Sequence, residues 1–324
     1  MKQFGITTIL AAALSLGNAT AKTFDIDPDF WLGFNAGTTG TGMTLGSRIN
    51  RYVAVRTGFD FMPHFEFPMH FSIQVGDDGD PGYDSEGHSR FDRMAGYLEE
   101  MTGFKIDQQV DMIGEPHFHN FKLLVDVFPF RNGNWHFTAG FYAGPSVIGR
   151  AYNRTEDMTT LMSVAMYNNI YDKVYEIENN DECELNGVFM GLELPPAVNE
   201  KILNSGRMGM HVGDFPDGTP YMMEPDQDNM VKAEMKVNSF KPYLGAGYNG
   251  LIDKNNDRLK FTADCGIMLW GGSPRVYAQP GTDKETEITK LNNINGQVGK
   301  YIDLSNKFKV FPLLNLSISY RLYR

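Results

Sequence analysis

Apolar and polar residues alternate with period two in blocks spread along the chain, the pattern of a strand with one greasy face. In FKLLVDVF, Phe121, Leu123, Val125 and Val127 oppose Lys122, Leu124, Asp126 and Phe128. In WHFTAGFYAG, Trp135, Phe137, Ala139, Phe141 and Ala143 oppose His136, Thr138, Gly140, Tyr142 and Gly144. The same split separates Phe240, Pro242, Leu244, Ala246 and Tyr248 from Lys241, Tyr243, Gly245 and Gly247. Further on, Leu259, Phe261, Ala263, Cys265, Ile267 and Leu269 face away from Lys260, Thr262, Asp264, Gly266 and Met268. Val53, Val55, Phe59 and Phe61 oppose Ala54, Arg56, Gly58 and Asp60, and the closing stretch sets Leu314, Leu316, Ile318, Tyr320 and Leu322 against Asn315, Ser317, Ser319 and Arg321. The blocks run about 9 to 14 residues, longer than an ordinary soluble strand and suited to a tilted strand crossing a bilayer.

The connections alternate in length. GSRINRY, PFRNGNW and NGLIDKNNDR are short polar turns, whereas residues 72–117, 150–235 and 280–306 are long interruptions. Tight turns on one rim and mass on the other are the mark of outer-membrane barrels, with periplasmic turns and extracellular loops. Strands starting near Met43, Tyr52, Phe118, Trp135, Phe240, Leu259 and Phe308 make seven, but single-chain bacterial barrels use even numbers with both termini in the periplasm. DFWLGFNAG supplies the missing first strand and GTTGTG the first outer turn, giving eight. The expectation is an all-β fold: an eight-stranded antiparallel up-and-down transmembrane β-barrel with long, partly helical extracellular loops. GGSPR, residues 271–275, reads either as a bulge in one long strand or as a turn into a further short one. DMTTLMSVAMYNNIYDKVYEI, SRFDRMAGYLEEM and KETEITKLNNINGQVGKYI have helix-compatible spacing and predict short helices over the outer rim.

The N-terminus adds a destination. Lys2, an apolar run over Ile9 to Leu16 and the triplet Ala19-Thr20-Ala21 follow the order of a secretory signal peptide, expected to be residues 1–21, leaving 22–324 as one barrel domain. The net charge of −11 disfavours nucleic acid as a partner. Residues 72–117 hold 11 acidic against 3 basic residues and residues 150–235 hold 16 against 6, so the acidity belongs to the loops and the remainder is net positive. Only Cys183 and Cys265 are present, too few for a disulfide framework.

The polar face carries Arg56, Asp60, Lys122, Asp126, Lys241, Lys260, Asp264 and Arg321, together with many glycines. A crowded interior needs small residues, which places this face in the lumen and the aliphatic face toward lipid. An eight-stranded interior is filled by side chains, and buried charges must be paired. An interleaved ionic network plugging the lumen is therefore expected.

Several stretches, GTTGTGMTLGSRINRYVAVRTGFDF, LLVDVFPF, FTAGFYAG, KPYLGAGY, DCGIMLWGGSPRVY and FPLLNLSISYRL, resemble small outer-membrane β-barrel proteins of Gram-negative bacteria, broadly of the OmpA/OmpW-like type. The resemblance covers the strand blocks and leaves out the two long acidic insertions. It implies recognition by the barrel-assembly machinery, which reads a terminal aromatic in many relatives; here Tyr323 is followed by Arg324. It supplies no catalytic residues.

Candidate chemistry is sparse. DDGDPGYDSEGH, residues 77–88, clusters carboxylates but lacks the spacing of a Ca²⁺ loop. His117 and His119 could form a metal pair but have no third ligand nearby in sequence. The Met-rich run of residues 208–230 suits irregular packing beneath a loop. No G-x-S-x-G elbow occurs, and no serine stands in a convincing setting beside His64, His70 or His136. No catalytic, cofactor-binding or metal-binding set is assigned, and no enzyme is expected. The expected role is structural or interactive, at the cell surface in the outer membrane, with acidic loops meeting an extracellular ligand. Transport of small or hydrophobic molecules is the first alternative, and modification of lipid the second.

Overall fold

A computed structural model describes residues 29–76, 80–130, 133–179, 188–189, 192–193, 196–253, 256–294 and 296–323. The signal-peptide segment, Cys183 and Arg324 lie outside the described residues. Eight strands close into an antiparallel barrel: β1 (Asp29–Gly37), β2 (Gly40–Asn50), β3 (Val53–Phe61), β4 (His119–Val127), β5 (Trp135–Ala143), β6 (Phe240–Asp253), β7 (Asn256–Met268) and β8 (Phe311–Tyr323). Each strand pairs with its neighbours in sequence, and β8 closes the ring on β1 with Phe34 opposite Ile318 and Ala36 opposite Leu316. The up-and-down order expected from turn parity is the one observed.

Alternation sorts the side chains as the pleat requires. Phe34 is 64% exposed and Leu316 66%, and they share the outer surface with Phe59, Phe137, Leu244, Leu314 and Ile318. Free Cys265 is also on this side. Aromatic residues flank the band, with Tyr52, Trp135 and Tyr320 toward the tight-turn rim and Phe61 and Phe240 at the opposite one. Every barrel strand hydrogen-bonds on both edges, so no edge is left to aggregate.

Two turns show how sequence sets the rims. At the tight-turn end, the Asn50 side chain accepts the backbone N–H groups of Tyr52 and Val53 at 2.8 and 2.9 Å, an Asx turn that reverses the chain between β2 and β3. At the other end, Thr38 and Thr39 join β1 to β2 and Gly40 takes φ +95°. A Cβ on Gly40 would lie 2.2 Å from the Phe61 carbonyl oxygen, so glycine is required there by both backbone and space.

The long interruptions fold into a cap with its own core. A six-stranded sheet runs in the order Thr286–Glu287, Arg275–Ala278, Lys232–Lys236, Val147–Asn153, Gln109–Pro116 and Phe67–Ser72. A three-stranded sheet joins Pro220–Met223, Met208–Asp214 and Gln74–Val75. Helices α1 (Arg90–Thr102), α2 (Met158–Asn179), α3 (Pro196–Ser205) and α4 (Gly296–Lys307) pack with them. α1 starts at a capping box between Ser89 and Asp92 and ends at Gly103 in the left-handed region. Leu161, Val164, Tyr167, Ile170 and Val174 form the buried stripe of α2 and share one core with Phe91, Met94 and Leu98 of α1. Met208, Met210 and Met223 fill that core as the Met-rich run predicts.

The cap departs from expectation in two ways. Two sheets accompany the helices that the spacing predicts, and the spacing does not show them because their strands are short and pair across distant insertions. KETEITKLNN, the start of the third helical prediction, instead supplies Thr286–Glu287 and a single 3₁₀ turn, Ile288–Lys290, leaving the helix to Gly296–Lys307. GGSPR is a turn: Gly271 and Gly272 both have positive φ, and Arg275–Ala278 belongs to the cap sheet rather than to β7.

Candidate functional site

The inward parity of the strands stacks polar side chains in layers along the lumen. At its centre Arg56 on β3 binds two carboxylates. Its Nη2 donates to Asp126 on β4 at 2.8 Å, and its Nε lies 2.7 Å from the other carboxylate oxygen. Its Nη1 and Nη2 donate to Asp264 on β7 at 2.7 and 3.1 Å. β3 and β7 are four strands apart in a ring of eight, so this guanidinium bridges opposite walls. Thr138 donates to Asp126 at 2.7 Å and His136 Nε2 lies 2.9 Å from Asp264, both from β5.

Nearer the cap, Lys122 is 2% exposed and donates to Asp60 at 2.7 Å and Asn35 at 2.9 Å. Asn35 donates in turn to Asp60, Thr39 caps the other Asp60 oxygen, and Thr44 donates to Asn35. The next cation, Lys241, has no carboxylate partner among the described residues. It donates to Asn120 at 3.1 Å and to the Pro145 and Ser239 carbonyls at 3.4 Å, and lies over the Phe118 ring. Tyr142 and Tyr243 meet edge to face beside Leu124, Met268 and Leu313, an apolar layer across the upper lumen. At the tight-turn rim Arg321 donates to Asp257 at 2.6 Å and its Nε lies 2.7 Å from Asp29, while Lys260 lies 3.7 Å from Asp29.

All eight charged residues singled out in the sequence therefore line the inside, in three ionic groups and one cation held by neutral oxygens. The charge network expected from the sequence leaves out Asn35, Thr44, Asn120, His136, Thr138, Asp29 and Asp257, which complete those groups. Parity alone identifies the first five, since each alternates with an outward apolar neighbour.

The cap holds the open space. Two polar clefts of about 800 and 700 Å³ meet at Arg207, Glu224 and Lys284. Glu224 accepts from Arg207 at 2.5 and 2.8 Å and from Lys284 at 3.0 Å, while Arg207 also binds Asp172. Burial raises the Glu224 carboxyl, but the two cations outweigh it and hold the group below the usual carboxylate range. Asn168, Asn169, Asp226, Asp228 and Thr282 line the larger cleft. A separate apolar cavity of about 250 Å³ lies between the six-stranded sheet and α4, among Phe67, Met112, Met235, Val276 and Ile302.

The remaining sequence candidates go to other uses. Asp84 of the acidic 77–88 loop accepts the backbone N–H groups of Glu86 and His88, while Asp77 and Asp78 lie outside the described residues. His117 and His119 pack their rings edge to face, centroids 4.6 Å apart. His70 turns to Asp111 at 2.6 Å and His136 to Asp264. Among the described residues, His64, Glu66 and Glu115 form a group able to hold a metal ion.

No family model matches the chain, and no curated protein matches it. Among solved structures, it is similar to CarO2 and CarO of Acinetobacter baumannii, each at 12% identity over 91% of this chain and 98% and 97% of theirs, with TM-scores of 0.38 and 0.36. A major outer membrane protein of Thermus thermophilus aligns at 12% identity over 91% of this chain and 100% of its own, with a TM-score of 0.29.

Proposed function

We propose that the chain is an outer-membrane β-barrel protein of the OmpA/OmpW-like kind, with a closed lumen and a surface-interaction role carried by its cap. One observation supports the closed lumen above the rest: Arg56 ties Asp126 and Asp264 together across the barrel axis. The unbroken apolar belt supports residence in lipid, because a band of that kind in water would be an aggregation surface. Its natural partners are outer-membrane lipid and, during biogenesis, the barrel-assembly machinery. The acidic cap and its polar clefts are the parts free to meet an extracellular ligand, and no catalysis is assigned to them.

Cell fractionation with surface proteolysis tests this reading. Recovery in the outer membrane with cuts in residues 72–117 or 150–235 is expected. Recovery in the soluble periplasm, with those segments untouched by external protease, would overturn it. Lipid A from cells with and without the gene should be identical; an altered acyl pattern restored by complementation would instead favour an enzyme.

A second reading, transport of small hydrophobic molecules, draws on the apolar cavity beneath α4. It requires a path from that cavity to lipid or lumen. Uptake of a hydrophobic dye that depends on the gene would support it.

A further inference from the structure

Two like charges face each other where the cap sheet meets the barrel. Phe67 pairs with Gly114 at the last rung between strands Phe67–Ser72 and Gln109–Pro116, so Glu66 and Glu115 oppose one another one step beyond. Like charges directly opposed across an antiparallel pair destabilise it. On its other side Glu115 has Arg150 as its register partner.

His64, two residues before Glu66, completes a convergent set. Its Nε2 lies 3.4 Å from Glu66 Oε1 and 3.9 Å from Glu115 Oε1, and ligand atoms of all three residues fall within 4.8 Å of one another. A single ion between them would lie within about 2.4 Å of each atom, so a contraction of a few tenths of an ångström reaches the ~2.0–2.2 Å of zinc bonds to imidazole and carboxylate. Tyr152 donates its hydroxyl to Glu115 from the neighbouring strand, the kind of outer hydrogen bond that orients a ligating carboxylate. The nearby cation Arg150 is engaged with Glu234 at 3.2 Å.

We propose that His64, Glu66 and Glu115 bind a divalent transition-metal ion of the zinc class, with the remaining coordination positions taken by water. One imidazole and two carboxylates suit zinc, cobalt or nickel; calcium would ask for six or more oxygens. The site would also have a mechanical effect. His64 and Glu66 lie on the linker leaving β3, and Glu115 ends the cap strand that returns to β4, so one ion would tie the outgoing and returning chains together at the neck of the barrel. This inference stands apart from the closed-lumen reading, since the site lies outside the lumen.

Titration of the full folded chain in detergent with Co²⁺, read by its visible absorption, and with Zn²⁺ by calorimetry tests the assignment. One saturable site is expected. His64→Ala and Glu115→Gln should each weaken binding at least about tenfold, and Tyr152→Phe by about tenfold. A combined His117→Ala and His119→Ala variant should bind as the parent does. These positions are at the protein surface or its margin, and heat-modifiable gel migration checks that each variant is folded. The proposal is overturned if the parent shows no saturable site, if the His64 and Glu115 variants bind as tightly as the parent, or if the His117/His119 variant is the one that loses the ion.

Discussion

Arg56 on β3 and Asp264 on β7 join opposite walls of the barrel through two hydrogen bonds of 2.7 and 3.1 Å, with Asp126 held on the same guanidinium. Removing one partner of a buried ionic group leaves an uncompensated charge, which costs about 3–5 kcal/mol. Arg56→Met should therefore lower the stability of the folded barrel by about that amount, read as urea-dependent loss of heat-modifiable migration in lipid vesicles. Asp126→Asn combined with Asp264→Asn in the Arg56→Met background should recover part of the loss, because the stranded carboxylates are then gone. A single Arg56→Met change without effect would show that the network carries no stability.

The outer belt should be sensitive to a charge gained, as the lumen is to a charge lost. Leu316 lies midway along β8 and faces outward, opposite Ala36 and Ala263. Leu316→Arg should cost about 2–4 kcal/mol in lipid vesicles, the depth-dependent penalty for a cation at the bilayer midplane. Leu316→Arg tolerated as well as Ser317→Arg would mean that this face does not meet lipid.

Acid should loosen the cap before the barrel. Arg207 and Lys284 hold the Glu224 carboxyl below its ordinary range against the opposing effect of burial. A group with a depressed folded pKa stabilises the fold above its unfolded value, near 4.3 for glutamate, and that contribution is lost as pH falls through the folded pKa. Proteolytic susceptibility of cap residues 196–236 should thus rise below about pH 4. Glu224→Gln should show part of that susceptibility already at neutral pH, with a loss of about 2 kcal/mol from the charge-assisted bonds. Glu224→Gln with an unchanged acid profile would remove this carboxylate from the account of cap stability.

At the first outer turn, Gly40→Val should disturb the pairing of β2 with β3 through its contact with the Phe61 carbonyl and its positive φ. The measurement is the yield of folded barrel on refolding into detergent. A yield equal to that of the parent would contradict the tight approach.

The barrel was legible because its signal is local and redundant. Alternation in β8, such as Leu314, Leu316 and Ile318 against Asn315, Ser317 and Ser319, fixes both strand and face without knowledge of any partner. The same parity brought Arg56, Lys122 and Asp264 to the inside, but not the neutral partner that Lys241 takes in Asn120. Two cap helices, Arg90–Thr102 and Met158–Asn179, were legible from their spacing, but the cap sheets were not: Lys232–Lys236 sets only Ala233 and Met235 against Lys232, Glu234 and Lys236, too short a run to stand alone, and is a strand through its pairing with Val147–Asn153 and Arg275–Ala278. Its clefts likewise gather Asn168, Arg207, Glu224 and Lys284 from four separate stretches of chain. Glu66 and Glu115, 49 positions apart in the numbering, become neighbours only through a sheet register that the sequence does not display.

Conductance of the purified protein in planar bilayers tests the closed lumen most directly. With Arg56 braced between Asp126 and Asp264, and Tyr142 and Tyr243 packed above them, the parent should show no discrete channel steps at any holding potential. Regular single-channel steps from the parent protein, free of contaminating porin, would contradict a lumen closed by its own side chains.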